Sequence, residues 1–378
     1  MASYPPDNER GPLRRVIGCM TGTSLDALDA SCVLVHERGL GMRIEHIWTD
    51  SFSLAPLDRQ LRSLCEGEPM SARQIASLRD AFSELHAREL SQRCQGEEPV
   101  SLVAAHGQTV FHESPHSWQL FNPWAVAHAL RCPVVHDLRG ADLALGGQGA
   151  PITPIADWIL FRDAHRSRAI VNLGGFCNIT LLPSGNDLSS TRAFDVCACN
   201  HILNACAQRA LDAPYDEGGS HAMRATPDSD ATLSLTTQLR AQSSSGRSLG
   251  TGDECLDWVE RHMHALTPES LLASATHAIA QAIVDRVSDT DEIYLAGGST
   301  RNLALLNAIE ARASRPVRTL ESLGVNEMSR EPVALAALGA LCMDRVPITI
   351  SGVTGRQGDV LLHGCWANAP IDADTLNA

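Results

Sequence analysis

Apolar positions along this chain fall into two rhythms. Short continuous runs predict buried strands, and longer stretches with apolar residues three and four apart predict helices. The runs at 13–20 (holding Arg14 and Arg15) and 30–35 are joined by a Gly/Thr/Ser turn, the pattern of a β-hairpin. Residues 43–52 read as a further strand. The stretch 54–95 is helical in character, with Leu57, Leu61, Leu64, Ile75, Leu78, Phe82 and Leu85 at helix spacing and Pro99 ending it. Strands follow at 100–105, 133–136, 169–172, 179–182 and 292–296. Helices are predicted at 124–130, 200–211, 267–287, 303–313 and 331–343, the last tolerating Pro332 in its first turn. The Ser/Thr/Gly-rich stretch 226–251 reads as short helices with loops.

Several strands run directly into glycine turns, and this sets the organisation. The strand 169–172 enters Leu173-Gly174-Gly175-Phe176-Cys177-Asn178 and is followed by another strand, repeating the logic of the first hairpin. The strand 292–296 enters Gly297-Gly298-Ser299-Thr300-Arg301-Asn302 and then a helix, an arrangement that suits phosphate or a nucleoside. Two glycine-turned hairpins, one per half, predict an α/β chain of two lobes, each holding one side of a ligand. Gly146-Gly147-Gln148-Gly149 has neither Rossmann nor Walker spacing, so its glycines serve a bend or a close ligand approach.

Composition narrows the class. At 378 residues with 44% hydrophobic content, two packed domains are expected. A net charge of −14 without any basic stretch argues against nucleic acid as the partner. No apolar run reaches membrane-spanning length, and the polar, mixed-charge residues 1–11 are expected to form a disordered tail, not a secretory signal. Twelve scattered cysteines read as reduced thiols of a cytoplasmic protein. Cys197, Cys199, Cys206 and His201 are the one group that hints at metal. They lack paired C-x-x-C spacing, which favours packed thiols.

Candidate chemistry concentrates in the turns. In the first hairpin, Gly22, Thr23 and Ser24 offer backbone and hydroxyl donors, and Asp26 and Asp29 offer hard oxygens for Mg²⁺ or a water in its shell. Together they outline a site for a metal-bound polyphosphate; a polar surface turn is the competing reading. His106-Gly107-Gln108-Thr109 is either a ligand turn or a loop satisfying its own backbone. Asp195 is either a general base or the N-cap of the helix that follows.

Read in order, these segments cover nearly the whole chain: Gly18-Cys-Met-Thr-Gly-Thr-Ser-Leu-Asp-Ala-Leu-Asp29, His106-Gly-Gln-Thr109, Asp137-Leu-Arg139, Leu145-Gly-Gly-Gln-Gly-Ala-Pro151, Asn172-Leu-Gly-Gly175 with Asn178-Ile-Thr180, Phe194-Asp195, Tyr215-Asp216, Gly297-Gly298 with Asn302, and Val353-Thr-Gly355. The set resembles the anhydro-N-acetylmuramic acid kinases, which recycle bacterial cell-wall sugar. The resemblance implies the sugar kinase/Hsp70/actin fold with an ATP cleft between two lobes, here 12–136 with 350–367, and 137–349. It implies ATP and Mg²⁺ as cofactors, a small sugar substrate, and a homodimer. Asp195 matches the catalytic carboxylate. Gly22, Thr23, Ser24, Asp26, Asp29, Gly174, Gly175, Asn178, Gly297, Gly298 and Asn302 match nucleotide positions, with Asp26 on Mg²⁺ through water. His106, Gln108, Arg139 and Glu331 match the sugar site.

This chain also departs from the family pattern. After its catalytic Asp the family usually continues Thr-Gly-Pro-Gly-Asn; here the run is Val196-Cys197-Ala198-Cys199-Asn200. Thr21 and Ala27 replace a Ser and a Gly in the first motif, Ala296 a Gly in the adenosine motif, and Pro332 an Ala beside Glu331. Two alternatives therefore stand beside the kinase: a nucleotide- or sugar-binding protein that has lost the chemistry, and a kinase for another anhydro or free hexose.

Overall fold

The computed structural model describes residues 13–22, 25, 27–244, 249–250, 252–326, 329–358 and 363–369. The expected tail at 1–11 lies outside them. The chain forms two compact units, Met1–Leu160 with Glu331–Ala378, and Phe161–Arg330.

The first unit is built on β1 (Arg14–Thr21), β2 (Ala27–His36), β3 (Arg43–Ser53), β4 (Leu102–Ala105), the pair β5 (Gln108–Glu113) and β6 (His116–Leu120), and β7 (Val134–His136). Its main sheet runs β3-β2-β1-β4-β7, closed at the edge by a strand at Cys365–Ala367. The first three strands pair antiparallel, and β1, β4 and β7 run parallel. The apolar runs of β1 and β4 are buried on both faces, as central parallel strands require. The helical stretch 54–95 divides into α1 (Asp58–Cys65) and α2 (Ala72–Arg93). Gly67 and Pro69 interrupt it, and Ser71 restarts it with a capping box against Gln74. Leu78, Phe82, Leu85 and Leu90 of α2 enter the core; truncating a buried phenylalanine such as Phe82 to alanine costs about 3–5 kcal/mol.

Three helices complete the first unit's early half: α3 (Pro123–Leu130), α4 (Gly140–Ala144) and α5 (Pro154–Phe161), which runs across the boundary into the second unit. The second unit has β8 (Arg168–Leu173), β9 (Phe176–Leu182), β10 (Arg192–Ala198), β11 (Glu292–Ala296) and β12 (Val317–Thr319), in the order β10-β9-β8-β11-β12. Again the first three strands pair antiparallel, and β8, β11 and β12 run parallel. Its helices are α6 (Asn200–Leu211), α7 (Ser229–Ser244), α8 (Leu256–His262), α9 (Pro268–Val287) and α10 (Leu303–Glu310). The apolar α9 lies in the core, with Leu271, Leu272, Ala275, Ile279 and Ile283 buried. Each unit thus carries the same five-strand order, third-second-first-fourth-fifth, and two α/β units are what the sugar kinase/Hsp70/actin resemblance implies.

The chain returns to the first unit through α11 (Arg330–Met343), the short α12 (Ser351–Thr354) and β13 (Cys365–Ala367). Helix α11 lies directly on β1, because a Cβ at Gly18 would come within 2.0 Å of the Pro332 carbonyl. Residues 137–160 and 331–349 therefore belong with the first unit, whereas the sequence boundaries assign both to the second lobe. Two further expectations change. The stretch 226–251 is one continuous helix over most of its described length, α7, because Ala231, Leu235 and Leu239 pack into the core and override the Ser/Thr content. The polar turn after β4 opens at once into the β5–β6 hairpin.

Candidate active site

In the first unit, the parallel pairing of β1 and β4 brings their C-terminal ends side by side, and the His106 N–H donates to the Cys19 carbonyl at 3.0 Å. Three of the expected sugar-site residues gather here. Thr21 Oγ1 donates to Gln108 Oε1 at 2.6 Å, and Gln108 Nε2 donates to the Thr109 carbonyl at 3.0 Å. His106 Nδ1 lies 3.1 Å from the Gly107 carbonyl, against which it can only donate. Its Nε2 is then the acceptor for Arg139 Nε at 3.0 Å. A neutral ring is required for both bonds. Burial first, and the Arg139 charge second, hold the His106 pKa down at about 3. Arg139 also donates from Nη1 to the Gly149 carbonyl at 2.7 Å. His112, whose Nδ1 pairs with Ser117 Oγ at 2.9 Å, is likewise held neutral, at about 4, by burial and then by Arg139. A crevice between the β5–β6 tip and α4 opens beside this group, lined by Pro115, His116, Ser117, Gly140, Leu143 and Ala144.

The first hairpin turn is closed by Leu25 N–H on the Gly22 carbonyl at 3.2 Å. Thr23, Ser24 and Asp26 lie outside the described residues. Asp29 is placed on β2 with its carboxylate accepting from Ser51 Oγ of β3. Glu331 is half-buried in the first turn of α11.

In the second unit, strand register does the assembling. Asn172 of β8 pairs with Asn178 of β9, which pairs with Asp195 of β10. Residues directly opposite one another share a face, so these side chains form one polar row across three strands. Asp195 is therefore a mid-strand residue. The N-cap of α6 is Cys199, which removes the capping alternative. Leu249 N–H donates to Asp195 Oδ2 at 2.8 Å, and the strand bulges between Asp195 and Cys197. Just past the row, the Gly174 and Gly175 carbonyls take the first N–H groups of α6: Cys199 to Gly175 at 2.9 Å, Asn200 to Gly174 at 3.0 Å and His201 to Gly175 at 3.2 Å.

The end of β11 lies parallel to the end of β8, which sets Gly297 beside this turn. Gly297 has φ +90°, and a Cβ there would meet the Leu173 carbonyl at 2.8 Å and Asn172 Oδ1 at 2.9 Å. Asn200 joins the two segments, accepting from Ser299 Oγ and donating to the Leu173 carbonyl at 3.4 Å. A Cβ at Gly298 would meet nothing within 4 Å. Asn302 caps α10, its Oδ1 accepting from Leu305 N–H at 3.0 Å. The four predicted glycines and Asn178 thus converge with Asp195 at one end of one sheet. Gly298 leaves bare backbone beside an amide-and-carboxylate row, where a ligand can approach closely, whereas His201 fills the space at Gly175 and the end of β8 fills it at Gly297.

The sequence model of the family described as anhydro-N-acetylmuramic acid kinase matches residues 14–367. The chain belongs to that family. An anhydro-N-acetylmuramic acid kinase of Salinibacter ruber (strain DSM 13855 / M31) is 33% identical over 375 residues, covering 91% of this chain and 94% of its own. Kinases of the same name from Picosynechococcus sp. (strain ATCC 27264 / PCC 7002 / PR-6) and from Burkholderia thailandensis (strain ATCC 700388 / DSM 13276 / CCUG 48851 / CIP 106301 / E264) are each 31% identical, over 92% and 93% of this chain and 98% and 97% of their own.

The departure from the family pattern after Asp195 is structural in character. Val196, Cys197, Ala198 and Cys199 are all fully buried in the core of the second unit, so their side chains fill protein interior. Cys206 joins the same core, and among the described residues no group of three or more His, Cys, Asp or Glu could hold a metal ion. His112 carries no signal in the sequence, and Asn172 and Asn200 appear there only inside the motifs Asn172-Leu-Gly-Gly175 and Val196-Cys197-Ala198-Cys199-Asn200, without a role of their own.

Proposed function

We infer that this chain is an ATP-dependent carbohydrate kinase that opens the 1,6-anhydro ring of anhydro-N-acetylmuramic acid and phosphorylates O6. The observation that carries the reading is the placement of Asp195, which the resemblance matches to the family's catalytic carboxylate: it stands mid-strand in a polar row beside glycine turns. In the anhydro sugar O6 bridges to C1 and carries no proton, so it cannot attack phosphorus unaided. Asp195 takes a proton from a water as that water attacks C1. The C1–O6 bond breaks with its electron pair on O6, and O6 takes the γ-phosphoryl group as ADP leaves. The products are ADP and a 6-phosphosugar with a hydroxyl at C1. A positioned base of this kind contributes about 10²–10⁴-fold, and positioning with charge neutralisation supplies most of the rest.

The remaining roles follow the family's pattern. Gly22, Thr23, Ser24, Gly174, Gly175 and Asn178 would serve the phosphates, and Gly297, Gly298 and Asn302 the nucleoside. Mg²⁺, when bound, neutralises charge on the transferring phosphoryl oxygens. Asp26 would hold it through a water, with Asp29 as a second hard-oxygen donor on the same hairpin. His106, Gln108, Arg139 and Glu331 would bind the sugar, and Arg139 is suited to the lactyl carboxylate, which a guanidinium grips with two donors. No helix among the described residues is long and apolar enough to cross a membrane. We place the enzyme in the cytoplasm, as a homodimer, in peptidoglycan recycling. A coupled ADP assay with purified protein tests the reading. ADP release is expected only when ATP, Mg²⁺ and the anhydro-muramic sugar are all present. Faster release with levoglucosan or glucose would shift the substrate class, and binding without turnover across the panel would overturn the kinase.

A further inference from the structure

The first unit contains a buried carboxylate that the reaction does not use directly. Asp142 of α4 is 1% exposed. Its Oδ1 accepts from Thr349 Oγ1 at 2.8 Å and Thr354 Oγ1 at 2.7 Å, and its Oδ2 accepts from Gly149 N–H at 2.9 Å. The Arg356 guanidinium lies 3.8 Å from Oδ1 and is held in turn by Thr349 Oγ1 at 3.2 Å. Backbone bonds reinforce the same junction: Gly147 N–H to the Asp142 carbonyl at 3.0 Å, and Gln148 N–H to the Thr354 carbonyl at 2.8 Å. The glycine-rich loop at 146–149 is thereby fastened to the segment 349–356.

The far side of that loop meets Arg139. The Gly149 residue whose N–H is fixed by Asp142 turns its carbonyl to Arg139 Nη1 at 2.7 Å. His106 Nε2 takes Arg139 Nε at 3.0 Å. Two acceptors on two different nitrogens fix the plane of a guanidinium, and one of the two is set by Asp142. We propose that Asp142 is a positioning residue: its buried carboxylate locks the 146–149 loop onto the 349–356 segment, so that the Gly149 carbonyl holds Arg139 in the orientation that receives the carboxylate of the sugar. This rests on the kinase reading and on Arg139's place in the sugar site.

A double-mutant cycle tests it, with KM for anhydro-N-acetylmuramic acid, KM for ATP and kcat measured on the wild type, Asp142→Asn, Arg139→Ala and the double variant. Asparagine keeps the shape but removes the charge, and its amide presents a donor where an acceptor is needed. KM for the sugar is expected to rise about tenfold or more in Asp142→Asn, since misplaced binding groups cost on this order. KM for ATP stays within about twofold, and Asp142→Asn adds less than about twofold in the Arg139→Ala background, because coupled residues are non-additive. An equal penalty in both backgrounds, or a loss confined to kcat, overturns the proposal and leaves the kinase reading standing. A wild type without sugar-dependent turnover overturns the kinase reading itself. If Asp142→Asn does not fold, Thr354→Val carries the same cycle. Thr354→Ser, which keeps the hydroxyl, is then expected to restore KM, and failure of that rescue overturns the proposal.

Discussion

Replacing Gly297 with alanine perturbs the second unit at the point where its two glycine-bearing turns meet. The residue has φ +90° and ψ 174°, a conformation open to glycine and strained for any side chain. The strain costs about 1–3 kcal/mol. The added methyl would also sit 2.8 Å from the Leu173 carbonyl and 2.9 Å from Asn172 Oδ1. One contact is backbone at the end of β8, and the other belongs to the polar row, so neither can simply swing away. Overpacking of this kind adds about 1–3 kcal/mol. A combined loss of about 3 kcal/mol lowers the melting temperature by roughly 6–12 °C for a unit of this size. Gly298→Ala is the internal control, since its Cβ meets nothing within 4 Å. Urea denaturation and calorimetric ATP titration of both variants provide the assay. Gly297→Ala is expected to lose stability and, on the proposed nucleotide role of this turn, to bind ATP at least about tenfold more weakly. Gly298→Ala is expected to keep the wild-type urea midpoint. Equal midpoints for the two variants would refute the reasoning.

Further outcomes follow from buried groups. His86 is fully buried, its Nδ1 donating to the Phe82 carbonyl at 2.8 Å, and burial holds its pKa at about 4 against 6.5 in the unfolded chain. The unfolded state takes the proton more readily, so this stability is complete above pH 6.5 and is lost as pH falls toward 4. The contribution lost by pH 5 is about 2 kcal/mol. Urea midpoints at pH 8 and pH 5 measure it, and His86→Phe should shrink the difference. Gly18→Ala forces a methyl into the α11 backbone, 2.0 Å from the Pro332 carbonyl and 2.4 Å from the Ala336 nitrogen. A loss of about 3 kcal/mol or more is expected in the same assay. All twelve cysteines are free thiols, and Cys365 is the exposed one. A thiol reagent is expected to label Cys365 first. Cys19 and Cys206, whose pKa values burial pushes up to about 12, should stay unlabelled until the chain unfolds, as read by peptide mass mapping.

The central strands of both sheets are legible because they carry unbroken apolar runs that end in glycine turns, whereas β10, β12 and β13 carry no such run and are not. The β5–β6 hairpin is not legible either. Its tip exposes Phe111 and Trp118, so no alternation marks a buried face. Helix α7 was read as fragments because the packing of Leu235 and Leu239, which overrides a Ser- and Thr-rich sequence, is a tertiary fact. That Asp195 lies mid-strand and not at a helix cap is not legible in the sequence, since a strand's register is not written locally. Only pairing of Asn172 with Asn178, and of Asn178 with Asp195, makes the row. Asp142 stood in plain view beside Arg139, yet the partners that give it meaning, Thr349 and Thr354, lie 207 and 212 residues further along.

The central claim is that the Asp195 carboxylate primes water against the anhydro bridge. Sugar-dependent ADP release by Asp195→Asn, measured beside calorimetric ATP binding by the same variant, tests it most directly. The amide keeps the size and the place in the polar row but cannot take a proton. Turnover is expected to fall by about 10²–10⁴-fold while ATP binds as it does to the wild type. Wild-type turnover by the folded variant would remove Asp195 from the chemistry and contradict the account.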